Sequence, residues 1–364
     1  MLQTTSSDDP KPGMNNVAVS VIVPCRNEAD TIEGVLADLE HQSFAEPFEV
    51  IIADGFSSDG TREIVQKLIE GNTFRFSVRI LDNTVRSIPA GLNVAVRDAR
   101  GGFIVRIDCH SRLSPDYIEK IVEALQTNGQ DVVGPHISFI PGSNGNVAYA
   151  IAALLNTRMG AGGTPSKRLL HEPLRVSHAP MSCYKRAVWE RIGGYDEHLK
   201  TNEDFDFDYR ASSNGASVFA LPEPEFRSIA RTSLSALCGQ RWRYGWWKAA
   251  VLKKYPRSLH IRQMLPLAAL FLAVLIPITL VVFPQVALPL ALIALIYPTS
   301  SIVAAVVAVG KPTTKQEVRP LTLSKGIVTI VLAPVIYPII HIIWATGVVA
   351  GLLFNRFTHK QAGA

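Results

Sequence analysis

Apolar and polar residues alternate in short blocks over the first two thirds of the chain, and after Met264 the apolar stretches become almost unbroken. The opening block, residues 17–24 (VAVSVIVP), is rich in β-branched residues and predicts a buried strand ended by Pro24. Residues 29–39 then place Ile32, Val35, Leu36 and Leu39 at helical spacing. The same reading gives a strand at 48–53 (FEVIIA), a helix at 62–69, a short strand at 78–81 and a helix at 88–99 stopped by Gly101 and Gly102. A fourth strand is expected at 103–108 (FIVRID), then a helix from Ser114-Pro115-Asp116 to Leu125 with Pro115 at its first position. A strand at 132–139 and a helix at 147–159 lead to a glycine-rich break at 160–163 beside Lys167 and Arg168, which is either a loop that closes over phosphates or a simple join. Helices follow from Thr201 or Asn202 onward and at 237–254. Strands alternating with helices predict an α/β domain with parallel pairing and a ligand site at the strands' carboxyl ends.

Residues 265–283, 286–310 and 327–354 are each long enough to cross a bilayer, for which about 20 apolar residues suffice. Lys311, Lys315, Arg319 and Lys325 in the second connector place it in the cytosol by the positive-inside rule. The third stretch contains Pro334 and Pro338 and is longer than one span needs, so a kinked helix competes with a re-entrant segment; Arg356, His359 and Lys360 beyond it favour the cytosolic side. Three spans are the preferred count. The organisation expected is a disordered polar tail without a secretory leader (1–16), a cytosolic domain (17–235), an amphipathic interfacial region (236–262), a membrane domain (263–356) and a short tail (357–364).

Composition agrees with that division. The 364 residues are 48% hydrophobic and 18% charged, with mean hydropathy +0.18, more apolar than a soluble chain of this length requires. The net charge of +5 admits nucleic acid, anionic lipid or phosphorylated substrates. Lys248, Lys253, Lys254, Arg257 and Arg262 cluster beside the apolar stretches, which favours lipid headgroups over nucleic acid. Cys25, Cys109, Cys183 and Cys238 have no zinc or redox spacing and read as reduced thiols of a cytosolic domain. His341 is the one titratable side chain of note in the apolar stretches, too little for a transport path.

Four groups of residues carry candidate chemistry. Asp108 and His110, two apart at a strand end, leave the same face and can share one divalent ion, Mn²⁺ more readily than Mg²⁺. In the turn from Asp54 to Thr61, Asp54 is the ligand candidate, and Asp59 or Thr61 caps the next helix. At 201–208 (TNEDFDFD) the acids suit a helix's first turn, which explains Asp206 and Asp208 better than Glu203 and Asp204. Gln240, Arg243, Tyr244 and Trp247 fall on one helical face, with Arg241, Trp242 and Lys248 suited to a membrane surface.

The order PCRNEADTI, ADGFSSDGT and RIDCHS resembles the nucleotide-sugar-binding half of the inverting glycosyltransferases of family 2, which have the GT-A fold, over residues 17–250. Within that family it is most similar to the bacterial succinoglycan-type exopolysaccharide branch, whose metal motif is likewise Asp-x-His. The resemblance implies a membrane-anchored, metal-dependent hexosyltransferase. Pro24, Arg26, Asn27, Glu28, Asp54, Arg86 and Asp108 would bind a UDP-sugar, and Asp108 with His110 would hold Mn²⁺ or Mg²⁺ on its diphosphate. Residues 178–196 would enter the acceptor site. Asp204, with Glu203 as the alternative, would be the base that deprotonates the acceptor hydroxyl. Gln240, Arg243 and Tyr244 match the family's Gln-x-x-Arg-Trp motif except for Tyr in the last place, and would serve acceptor or diphosphate. Two further departures are Ala53, where the family has the first of two acids, and His110, where it has a second Asp. The acceptor implied is a lipid-linked saccharide or growing glycan, with glucose as the sugar and other polysaccharide-assembly proteins as partners. The competing reading is a non-catalytic nucleotide-sugar-binding scaffold or sensor.

Overall fold

The structure is a computed structural model that describes residues 17–71, 74–127, 129–160, 162, 164–167, 170–310 and 322–355. The expected tails at 1–16 and 357–364, Arg168, the connector cations Lys311, Lys315 and Arg319, and Arg356 lie outside the described residues.

The first half alternates β1 (Val19–Cys25), α1 (Ile32–Glu40), β2 (Phe48–Asp54), α2 (Thr61–Gly71), β3 (Ser77–Asp82), α3 (Ile88–Asp98) and β4 (Phe103–Arg106). These strands pair in parallel in the order β3-β2-β1-β4. Side chains of successive strand residues leave opposite faces, so one run of apolar residues feeds two cores. Val19, Val21, Val23, Val50 and Ile52 meet α1 on one face, while Ile22, Ile51 and Ala53 meet Leu92, Ala95 and Val96 of α3 on the other. Gly101 acts differently from the expected helix stop: α3 ends at Asp98, and a Cβ at Gly101 would lie 2.6 Å from the backbone nitrogen of Ser20. The requirement is close backbone approach to β1.

The second half adds β5 (Ser111–Leu113), α4 (Tyr117–Gln126), β6 (Val132–Ile140), α5 (Asn146–Leu155), β7 (Leu174–Arg175), β8 (Cys183–Lys185), α6 (Arg186–Ile192), α7 (Glu203–Ser213) and β9 (Val218–Ile229). Strand β8 is antiparallel to both β4 and β6, and β9 runs parallel to β6 and antiparallel to β5 and β7. The described residues thus form one nine-stranded sheet, parallel through its first half and mixed beyond β4. Three expectations are corrected. Strand β4 stops at Arg106, which puts Asp108 and His110 beyond it, so the shared strand face expected for the pair does not apply. Pro115 precedes the helix cap Asp116 instead of opening α4. Strand β9 is absent from the sequence reading because Pro222 and Pro224 punctuate it; the register with β6 shifts between Gly134 and His136, which accommodates them.

The chain closes with α8 (Leu234–Lys254), α9 (Ile261–Val282), α10 (Pro284–Ala294), α11 (Ile296–Val309), α12 (Leu323–Pro338) and α13 (Trp344–Phe354). Three stretches are long and apolar enough to cross a membrane: Gln263–Val282, Pro289–Val309 and Leu323–Phe354. The last has 32 residues and is helical throughout, with a π turn at Ile339–Ile343 joining α12 to α13 in place of a re-entrant loop. At ~1.5 Å per residue it exceeds the ~30 Å hydrocarbon core. Its middle and second half pack against the rest of the chain. Ile151, Leu154 and Leu155 of α5 share a core with Ala333, Ile336 and Tyr337 of α12, and Thr157 bonds the Tyr337 hydroxyl at 2.7 Å. Helix α8 is more than a surface helix: Gly245 touches the backbone of Trp344, and a Cβ at Gly347 or Gly351 would stand 2.6 or 2.7 Å from the carbonyl of Trp242 or Trp246. Small residues let the α8 and α13 backbones meet.

Candidate active site

The loops after β1 and β2 are laced together at the carboxyl edge of the sheet. Asp54 ends β2 nearly buried; its Oδ1 accepts from the Ser57 hydroxyl at 2.6 Å, and Arg62 approaches its Oδ2 at 3.4 Å. The Ser57 hydroxyl in turn accepts from the Asn27 amide, and Asn27 Oδ1 accepts from the Ser58 amide, both at 2.9 Å. Asp59 accepts from the Thr61 and Ala29 amides, each at 3.1 Å, so it caps α2 and fixes the first loop as well. The Thr61 hydroxyl accepts from the Glu28 amide at 2.8 Å. Pro24 closes β1 and Arg26 is exposed beside Gly55, whose position leaves room for the arginine stem.

Asn27, Phe56 and Arg86, one in each loop after β1, β2 and β3, have positive φ (56°, 56° and 59°). That conformation is uncommon for non-glycine residues and is held here by the loop contacts. Arg86 lies over the exposed Phe56 ring with its guanidinium 5.0 Å from the centroid. Phe56 did not figure among the expected site residues; its signal in the sequence was an aromatic in a turn otherwise made of Asp, Gly and Ser.

Beyond β4 the structure brings together residues far apart in sequence. Arg106, 4% exposed, donates to Asp108 Oδ1 at 3.3 Å and to Glu203 Oε1 at 2.9 Å. Burial opposes the charge of this guanidinium, but Asp108 and Glu203 raise its pKa well above the ordinary arginine value. Glu203, 5% exposed, is pushed up to about 7 by burial and the neighbouring Asp204, with Arg106 opposing. His110 is more open, and its Nδ1 lies 3.5 Å from Glu28. Partial burial lowers the tendency of His110 to protonate, and Glu28 with Asp108 outweighs it. Among the described residues no three metal-binding side chains cluster. Asp108 and His110 offer one carboxylate and one imidazole, donor types that a divalent ion accepts.

The two acids at the start of α7 part company. Glu203 turns inward to Arg106, whereas Asp204 keeps 24% of its side chain exposed and has His178 Nε2 3.8 Å away. The other ring nitrogen, Nδ1, bonds Asp208 at 2.8 Å. Asp208 is fully buried and also accepts from the Ala179 amide and the Ser182 hydroxyl, so the imidazole is fixed from behind. Burial works against a charged His178, but Asp204 and Asp208 raise its pKa. Asp206 and Asp208 therefore do more than complement a helix dipole. Asp206 accepts from Lys254 at 2.7 Å, Tyr255 at 2.9 Å and Arg210 at 2.8 Å, which locks α7 to the end of α8.

Helix α8 brings its polar face to the same region. Gln240 donates to the Tyr244 hydroxyl at 3.3 Å, and Asn202, one residue before Glu203, reaches the Tyr244 carbonyl at 3.5 Å. Desolvation raises the pKa of the Tyr244 hydroxyl; Arg241 and Arg231 oppose this, while Asp204 and Glu203 add to it. Tyr244 is thus within electrostatic reach of both α7 acids. Arg243 is exposed and lines a shallow pocket with Trp242, Trp246 and Trp247.

The profile of glycosyl transferase family 2 matches residues 20–193. The succinoglycan biosynthesis protein ExoA of Rhizobium meliloti is 32% identical over 267 residues, covering 72% of this chain and 77% of that protein. The chain belongs to glycosyl transferase family 2. A Methanococcus voltae dolichyl-phosphate-sugar glucuronosyltransferase is 23% identical, covering 72% of this chain and 81% of that protein. Among solved structures, a mannosyltransferase from Pyrobaculum calidifontis in complex with GDP-Man and Mn²⁺ aligns with TM-score 0.55 and 18% identity, covering 96% of this chain and 90% of that one. That likeness carries the fold, and the glycosyltransferase domain described here has the GT-A architecture. In this family 2 glycosyltransferase, the laced loops, the Arg106 bridge and the Asp204–His178 pair share one edge of the sheet with the polar face of α8.

Proposed function

We propose that the protein is a membrane-anchored inverting glycosyltransferase that moves a hexose, glucose first among candidates, from a UDP-sugar to a lipid-linked saccharide or growing exopolysaccharide. The observation that carries this reading is Asp204: an accessible carboxylate backed by the His178–Asp208 pair, beside an inward Glu203 that is tied up by Arg106. The similarity to ExoA supports an exopolysaccharide acceptor.

On this reading the Asp54 loop, with Pro24, Arg26, Asn27, Glu28 and Arg86, holds the nucleoside. Asp204 accepts the proton of the acceptor hydroxyl as its oxygen attacks the anomeric carbon. The bond from that carbon to the diphosphate breaks on the opposite face and the nucleotide leaves with the electron pair, which inverts the configuration. His178 positions Asp204, and its positive charge favours the ionised carboxylate. A divalent cation bound by Asp108 and His110 would supply charge neutralisation to the departing diphosphate. Arg106 holds Asp108 and Glu203 at a fixed separation, which keeps donor and acceptor sides in register. The packing of α8 on α13 and of α5 on α12 supports a site close to the bilayer, where a lipid-linked acceptor would present its sugar.

The test is a thermal-stabilisation panel on the detergent-solubilised full chain with Mn²⁺ and UDP-, GDP- and dTDP-sugars. A donor at about 100 times its Kd stabilises by about 2.7 kcal/mol. Stabilisation by UDP-sugars is the expected outcome. Stabilisation by GDP- or dTDP-sugars alone overturns the donor assignment, and none at all overturns the proposal.

A further inference from the structure

Lys253 and Lys254, neighbours at the end of α8, are bonded in opposite directions. Lys253 donates to the Asn355 carbonyl at the end of α13 at 2.5 Å, and the Asn355 side chain reaches back to the Trp246 carbonyl at 3.5 Å. Lys254 is 8% exposed and donates to Asp206 Oδ1 and Asp196 Oδ2, each at 2.7 Å. Asp206, fully buried, also accepts from the Tyr255 hydroxyl and from Arg210, whose other N–H groups hold the Ile192 and Gly194 carbonyls. The end of α8 is therefore fastened to the last apolar span on one side and to α7 on the other.

Holding the two helices together takes less than this. Phe205 of α7 already packs with Ala250 and Val251 of α8 in an apolar cluster, and burying two carboxylates with two cations carries a desolvation cost that apolar side chains would not. What the ionic tie adds is direction. Residues two apart on a helix point about 200° apart, so Asp206 and Asp204 leave opposite sides of α7. Asp208, one turn beyond Asp204, shares its side and meets the same imidazole. Drawing Asp206 onto Lys254 thus sets the rotation of the helix and turns Asp204 toward His178. Lys248 adds a second hold from α8: its Nζ lies 4.4 Å from the Phe205 ring centre, and that ring meets His178 edge-on at 5.4 Å.

We propose that Lys254 is a positioning residue for the transfer reaction, fixing the rotation of α7 so that the Asp204 carboxylate faces the acceptor hydroxyl. The inference rests on the reading of Asp204 as the base and adds the group that aims it. Lys254 acts through Asp206 and not on the reacting atoms.

The test compares the full-length wild type, Asp204→Asn, Lys254→Met, Lys254→Arg and Lys254→Met/Asp196→Asn in membranes at matched protein amounts. Three quantities are read: the rate of transfer from saturating radiolabelled UDP-hexose, the affinity for UDP, and the resistance of UDP binding to heating. The double variant leaves Asp206 paired with Arg210 and neutralises the carboxylate that Lys254→Met strands, so it restores charge balance without the tie. Both Met variants are expected to lose about 10- to 100-fold in rate with UDP affinity unchanged, the double variant resisting heat better than the single one. Lys254→Arg should recover part of the rate, because it keeps a cation at the end of α8. A double variant that transfers at the wild-type rate, or a loss of rate matched by a loss of UDP affinity, overturns the proposal while leaving Asp204 as the base. Wild-type transfer by Asp204→Asn, or no transfer by the wild type, overturns the reading beneath it and the proposal with it.

Discussion

Arg106→Met is the sharpest perturbation of the charge arrangement between Asp108 and Glu203. In the wild type the guanidinium compensates a carboxylate that is 5% exposed and titrates near pH 7. Breaking a buried pair by removing one partner costs about 3–5 kcal/mol when the other stays charged. Glu203 can escape that cost by binding a proton, so the loss depends on pH. The folded-state pKa of Glu203 is raised above its unfolded value, so its contribution to stability is present at low pH and fades as pH rises through about 7. Without Arg106 the folded pKa rises further. Below about pH 6 Glu203 is protonated in both folded proteins and its part of the difference vanishes. Between about pH 7 and about pH 8.5 only the wild type ionises it readily, and at 1.36 kcal/mol per unit the gap widens by up to about 2 kcal/mol. Chemical denaturation of the full-length protein in detergent at those two extremes measures the gap. Arg106→Met should be destabilised more at the higher pH, and Arg106→Met/Glu203→Gln should lose that pH dependence. A gap that is constant with pH, or a double variant that retains the dependence, refutes the reasoning.

Two further outcomes follow from the same structure. His178→Gln should lower kcat by about 10-fold or more with UDP affinity unchanged, and move the acid limb of the rate profile to higher pH because the imidazolium no longer favours the Asp204 carboxylate. The raised pKa of His178 places its stability contribution below the ordinary value of 6.5, so denaturation should show the variant's deficit growing as pH falls. Gly347→Leu should part α13 from α8, where a Cβ already stands 2.6 Å from the Trp242 carbonyl; a loss of about 1–3 kcal/mol or more in detergent melting, with reduced transfer, is expected.

What could be read from the chain beforehand was local. Strands β1 and β2 announce themselves as β-branched runs, and the loops after them carry their own polar partners, as Asp59 does for α2. Arg106 stands in an otherwise apolar strand, and the Glu203 that neutralises it is 97 positions away. The same distance problem hid the tie between Asp206 and Lys254, where a helix-dipole explanation sufficed locally. His178 lay in a segment already associated with the acceptor, yet its contact with Asp204 depends on β8 and α7 folding together. Strand β9 was concealed by its prolines. The α8 helix read as a surface helix because its aromatic and basic residues fit one; the glycines where it meets α13 show that it is also packed from behind.

The most direct measurement is transfer from radiolabelled UDP-hexoses by membranes carrying the wild type or Asp204→Asn, with UDP binding measured on the same preparations. The expected result is glycolipid or glycan product from the wild type and a loss of about 10²- to 10⁴-fold in Asp204→Asn with UDP binding retained. Transfer by Asp204→Asn at the wild-type rate contradicts the assignment of the base.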